Sequence, residues 1–177
     1  MENTSCAVRK RLALYKGLKS ILFIGQNLYS YKYATETIQI GAVLLDDSFK
    51  RIGTLCQYLH PEHGVIDYFI ENLTGIKNSQ VKNAPKLEEV LLHMIDWLGE
   101  RDYKIYAWSE SDRDQLLHEI KAKNMTDERI HAFMKAENWI DYQDVFTKRF
   151  ELSQQLSLEE ALGLSLIHIS EPTRRTP

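Results

Sequence analysis

Apolar and polar positions follow two different periods along this chain, and the change between them divides it. Ser20-Ile21-Leu22-Phe23-Ile24 is a short continuous apolar run, the pattern of a strand buried on both faces. A polar, aromatic segment follows from Gln26 to Tyr33. Residues 37–45 predict a second strand, Asp46-Asp47-Ser48 a turn, and residues 51–59 a third strand, which together make an antiparallel hairpin or meander. His60-Pro61-Glu62-His63-Gly64 breaks the run. Beyond residue 64 the period becomes helical. Residues 65–73 predict a short helix that Gly75 stops. Lys86 to Leu98 is the clearest helix, because Leu87, Val90, Leu91, Met94, Ile95 and Leu98 recur at three- and four-residue steps between Pro85 and Gly99.

Residues 103–108 predict a fourth strand. Ser111 can cap a helix from Asp112 to about Lys123, with Asp112 and Asp114 in the first turn, where the helix dipole favours acids. Residues 139–141 predict a last short strand, followed by a helix through Phe150. Ser157-Leu158-Glu159-Glu160 forms a capping box that opens another helix. Three strands followed by alternating helices and strands imply an α/β fold with a mixed five-stranded sheet: an antiparallel meander, then parallel crossovers, flanked by helices. Residues 1–19 are a mixed, basic extension, and the domain covers residues 20–163. Residues 164–177 abandon the helix that Ser157 begins. They resemble the conceptual translation of a transposase sequencing adapter and are set aside from the fold.

Composition adds bounds. With 177 residues and 44% hydrophobic content, the chain can bury the core of one domain. The net charge of -3 lacks the basic bias of most nucleic-acid binders. It does not argue strongly against nucleic acid, because metal-dependent nucleases reach phosphate through cations held by acids. The two cysteines, Cys6 and Cys56, make neither a disulfide framework nor a zinc site, and are expected to be reduced thiols of a cytoplasmic protein. No apolar run is long enough to span a membrane.

Asn72-Leu73-Thr74-Gly75-Ile76 followed by Val81-Lys82-Asn83-Ala84-Pro85 resembles a segment of the DEDD-family, DnaQ-like 3′–5′ exonucleases. Ile38-Gln39-Ile40-Gly41-Ala42-Val43 resembles their second strand, and Trp108-Ser109-Glu110-Ser111-Asp112 their second acidic motif. Trp139-Ile140-Asp141-Tyr142-Gln143 and the run from Leu156 to Leu162 resemble the approach to the third. The resemblance covers residues 20 to about 163 and implies a ribonuclease H-like, three-layer fold acting on single-stranded DNA or RNA 3′ ends. It also implies hydrolysis by two divalent cations, Mg²⁺ or Mn²⁺, held by carboxylates.

The chain departs from that pattern where the chemistry is densest. The family's first acidic pair falls on Gly25 and Asn27, which offer no carboxylate. Asp112 matches the second-motif aspartate. The third motif, with its base and last aspartate, belongs beyond Ala161-Leu162, where the adapter-like run stands. Very weak or no hydrolysis is the expectation. The resemblance also implies that Leu73 and Thr74 support a 3′-terminal nucleotide, while helix termination and core packing explain the same two residues without a ligand. Glu36, Asp46, Asp47 and Glu110 could replace lost ligands, but solvated surface acids explain them better. Tyr29, Tyr31 and Tyr33 could stack on bases or line one face of an extended segment. His60, His63, His93, His118 and His131 show no metal-ligand spacing. Trp97 and Trp108 are expected in the core.

Overall fold

The structure, a computed structural model, describes residues 20–31 and 34–170, with side chains for 36–165. The expectations for residues 1–19, Tyr33 and 171–177 lie outside the described residues. Five strands form one mixed sheet in the order β3-β2-β1-β4-β5. β1 (Ser20–Tyr31), β2 (Ala34–Asp46) and β3 (Arg51–Tyr58) make the antiparallel meander. β4 (Lys104–Ala107) runs parallel to β1, and β5 (Trp139–Asp141) parallel to β4.

β1 is longer than its apolar run. It continues through the polar segment to Tyr31, because each residue there finds an antiparallel partner on β2, ending with Tyr31 opposite Ala34. A twelve-residue strand thus forms where only five residues carry the buried pattern. Backbone pairing supplied by the neighbour overrides the local polar composition. The register slips once, between Asn27 and Leu28, leaving Ile38 as the extra residue of a β-bulge.

Helices cover both faces. On one, Ile40, Ala42 and Leu44 of β2, Leu55 of β3 and Ile105 of β4 pack against α3 (Leu87–Leu98), α4 (Ser111–Ala122) and α5 (Glu128–Phe133). The predicted stripe of α3 is this contact: Leu87, Val90, Leu91, Met94 and Leu98 are all buried. Trp97 lies over Gly53, close enough that a side chain at Gly53 would strike its ring. On the other face, Tyr106, Leu45, Trp108 and Ile140 pack against α6 (Tyr142–Arg149) and the start of α7 (Leu158–Ser170). A third apolar group joins Ile38 to α1 (Tyr68–Thr74) and α2 (Asn78–Val81) through Ile66, Ile70, Ile76 and Val81.

Several boundaries correct the sequence reading. Ser111 is the first helical residue of α4 rather than its cap; Glu110 holds the N-cap position without a side-chain hydrogen bond. α2 and α5 were not anticipated, being too short to show a period. The capping box at Ser157 forms as expected, with Ser157 Oγ accepting from the Glu160 amide at 3.3 Å and Glu160 Oε2 accepting from the Ser157 amide at 2.8 Å. α7 does not stop at residue 164, however. It runs to Ser170, because a nucleated helix propagates through residues without a breaker, and the next proline is Pro172. Cys56 is disulfide-bonded, which overturns the expectation of a reduced thiol; that expectation rested on habits of compartment and not on local geometry. Among the described residues no helix is long and apolar enough to cross a membrane.

Candidate nucleic-acid site

β1 and β4 are paired from Ile21–Lys104 to Ile24–Ala107, and there the parallel ladder ends. β1 runs on alone beside β2. Gly25 is the first residue beyond the ladder, opposite Gly41, and Asn27 lies opposite Gln39, just before the bulge. α4 begins shortly after β4 ends and packs against both β1 and β2. Gly25 lies one residue past the paired stretch of β1, and Asp112 lies in the first turn of the helix that follows β4, so both stand near the carboxyl end of the β1–β4 ladder, where α/β sheets place their ligands. The acidic positions of the resemblance fall on Gly25, Asn27 and Asp112. Only one of them bears a carboxylate.

That carboxylate, Asp112, is partly buried in the first turn of α4. Burial pushes its pKa up to about 6. The helix dipole favours the anion, but loss of hydration outweighs it. Asp112 is thus an acid held in a place that disfavours its own charge.

The other acids do not gather around it. Asp46 closes the β2–β3 turn by accepting the amides of Ser48 and Lys50, both at 2.9 Å, at the opposite end of the sheet. Asp47 and Glu110 are exposed. Glu36 corrects the expectation of a solvated surface acid, since it is only 2% exposed. Its charge is met by the Lys123 ammonium at 2.9 Å and by His63 Nδ1 at 3.1 Å. Burial opposes its ionisation, yet the Lys123 and His63 hydrogen bonds prevail and hold the carboxyl at about 2. Nothing local in the sequence signals this, because Lys123 sits at the far end of α4. Among the described residues, no group of three or more His, Cys, Asp or Glu side chains is placed to hold a metal ion.

Leu73 and Thr74 end α1. Thr74 Oγ1 donates to the Ile70 carbonyl at 2.7 Å and accepts from the Ile76 amide at 3.1 Å, and Gly75 (φ 71°) completes the stop with its amide on the Glu71 carbonyl. Only a left-handed conformation makes that turn, which explains glycine there. Leu73 takes no part in the core; it is 70% exposed. With it stand Val65, Tyr68 and Phe69, exposed at 68%, 82% and 70%. Val65, Phe69 and Leu73 recur every four residues, while Ile66 and Ile70 face inward. α1 carries two apolar stripes, and one faces solvent. The sequence reading gave the helix but not which of its faces is buried.

A family model described as exonuclease, RNase T type, matches residues 23–162. No curated protein matches the chain. Among solved structures, the nuclease domain of 3′hExo, a DEDDh family member bound to rAMP, is similar with a TM-score of 0.69 at 20% identity, covering 90% of this chain and 83% of that one. Cell-death related nuclease 4 (CRN-4) gives 0.71 at 19%, covering 90% of this chain and 58% of the other. Escherichia coli exonuclease I in complex with a dT13 oligonucleotide gives 0.57 at 16%, covering 75% and 30%. At such identities the likeness establishes the ribonuclease H-like fold.

Proposed function

Because this chain belongs to the RNase T exonuclease family, we propose that it is a 3′–5′ exonuclease-fold domain that engages single-stranded 3′ ends of DNA or RNA but is defective in hydrolysis. The observation that carries the reading is residue identity: the positions that the resemblance gives to the family's first acidic pair are Gly25 and Asn27, on β1 just beyond its ladder with β4. A pair of divalent cations needs several anionic oxygens. A glycine and an amide supply none, which leaves Asp112 as the one carboxylate among the three matched positions. The residues present do not fit a two-cation centre, so no hydrolytic step is assigned to them.

What supports retained binding is the solvent-facing stripe of α1. Apolar and aromatic side chains left in water mark an interaction surface, and bases stack on aromatic rings regardless of sequence. Solved structures of this fold hold rAMP and an oligonucleotide. In this reading Leu73 and Phe69, both 70% exposed, support a terminal base, and Thr74 fixes the end of the helix beside them.

The test has two arms. A labelled oligonucleotide with a 3′ overhang should bind in EDTA at low salt, where phosphate contacts are strongest, and should not shorten when Mg²⁺ or Mn²⁺ is added. Metal-dependent shortening by the purified wild-type chain would sink the defect. Absence of binding, or binding unchanged by Leu73→Asp, would sink the proposed surface. In a version extended through the third acidic motif, Gly25→Asp with Asn27→Glu should return metal-dependent trimming, and its failure to do so would sink the reading of a degraded exonuclease.

A further inference from the structure

Three carboxylates from three different segments converge on a single ammonium. Lys123 Nζ lies 2.9 Å from Glu36, 3.0 Å from Glu62 and 3.5 Å from Glu119. Its side chain is 11% exposed, and those of Glu36 and Glu119 are 3% exposed. Each remaining oxygen is directed. Glu36 accepts the backbone amides of Glu62 at 3.1 Å and His63 at 2.9 Å. Glu119 Oε1 accepts from the Thr37 amide at 2.8 Å and from Gln115 Nε2 at 3.0 Å. Glu62 also takes Lys86, at 2.8 Å. The lysine ends α4 and is followed by Asn124 in the left-handed conformation.

Buried ion clusters are poor sources of net stability, because desolvation offsets their attraction; what they supply is one geometry in preference to others. Here the geometry joins the two halves of the candidate site. From Glu36 the hydrogen bonds pass to residues 62 and 63. The next anchor is Ile66, whose amide and carbonyl are both held by the Asn78 side chain at 2.8 and 2.7 Å. Asp67 then caps α1 through the Ile70 amide at 2.8 Å. α1 carries the exposed stripe, and α4, which ends at the lysine, begins at Asp112.

We infer that Lys123 is a positioning residue that fixes the α1 stripe relative to the Asp112 end of the site, without touching the nucleic acid itself. The inference rests on the proposed binding surface for its functional consequence, but not for its structural one. Glu36 and Glu62 accept hydrogen bonds from the ammonium, Glu119 faces it at 3.5 Å, and the lysine side chain is only 11% exposed, which keeps it from a phosphate.

Nitroxides placed at exposed Asn72 on α1 and exposed His118 on α4 read the coupling directly. The distance distribution should be narrow in the otherwise unchanged protein and broad in Lys123→Met. An unchanged distribution in the folded variant overturns the inference. Should Lys123→Met fail to fold, Glu36→Gln decides in the same way: a broad distribution supports, and a narrow one overturns. In the binding assay, Lys123→Met or Glu36→Gln should weaken the 3′-overhang oligonucleotide roughly three- to tenfold. The slope of affinity against salt should stay the same. A slope shallower by about one would mean a lost phosphate contact and would overturn the indirect role. If the unaltered protein binds no oligonucleotide, the functional reading fails, and the nitroxide distances still decide the structural claim.

Discussion

The two ends of α4 treat a buried carboxylate in opposite ways. At its start, Asp112 is partly buried and its carboxyl is pushed up to about 6. At its finish, Lys123 receives Glu36, Glu62 and Glu119, and Glu36, the more deeply buried acid, is held at about 2. Burial penalises both anions. The difference lies in what meets the burial: at the far end an ammonium and a histidine bond the carboxylate and outweigh it, and at the near end burial dominates the shift. The near end is also where the family's carboxylates would gather bound cations.

The contrast can be broken most severely at Lys123. Lys123→Met leaves Glu36 and Glu119 buried without their cation and should cost about 3–5 kcal/mol of stability at pH 7 in a urea melt. A loss below about 1 kcal/mol would mean that water reaches the cluster.

Glu36→Gln sharpens it through pH. The folded carboxyl titrates below its ordinary 4.5, so its contribution is complete above that value and disappears as pH falls toward 2. Wild type should lose on the order of 3 kcal/mol relative to the variant as the buffer is taken from pH 6 to pH 2.5, followed by thermal melts. Parallel curves would refute the pairing.

At the other end the sign reverses. Asp112 is held above its ordinary 3.8, so the folded state prefers the protonated acid, and stability falls as pH rises through about 6. In EDTA, Asp112→Asn should therefore stabilise the protein by roughly 1–2 kcal/mol at pH 7.5 and change little at pH 4, the partial exposure being allowed for. Destabilisation at pH 7.5 would show that the anion's own contacts outweigh its burial.

The smallest effect lies away from both ends. A Cβ at Gly53 would stand 2.7 Å from Trp97 Cζ2. Gly53→Ala should cost about 1 kcal/mol with no pH dependence, because it displaces a ring and no charge.

Read without coordinates, the chain disclosed its local regularities well. The α3 stripe is legible because a helix buries every third or fourth residue, and Leu87, Val90, Leu91, Met94 and Leu98 obey that rule. The turn at Asp46 and the stop at Gly75 are legible because each rests on a few adjacent residues. That Gly25 and Asn27 carry no acid is legible from residue identity alone. What escaped was anything that depended on a distant partner. β1 extends to Tyr31 because β2 pairs with it, Glu36 is buried because Lys123 meets it, and α1 has a second, exposed stripe because Ile66 and Ile70 alone reach the core.

The amino-acid sequence by itself therefore determined the order of elements, the family, and the absence of two anions at positions 25 and 27, since these are matters of residue identity and short-range period. Only the tertiary structure decided which acids are buried, which cation each one meets, and which face of α1 remains in water. Charge stabilisation acts through space over a few Å, and the groups concerned are brought to that distance by sheet pairing and helix packing alone.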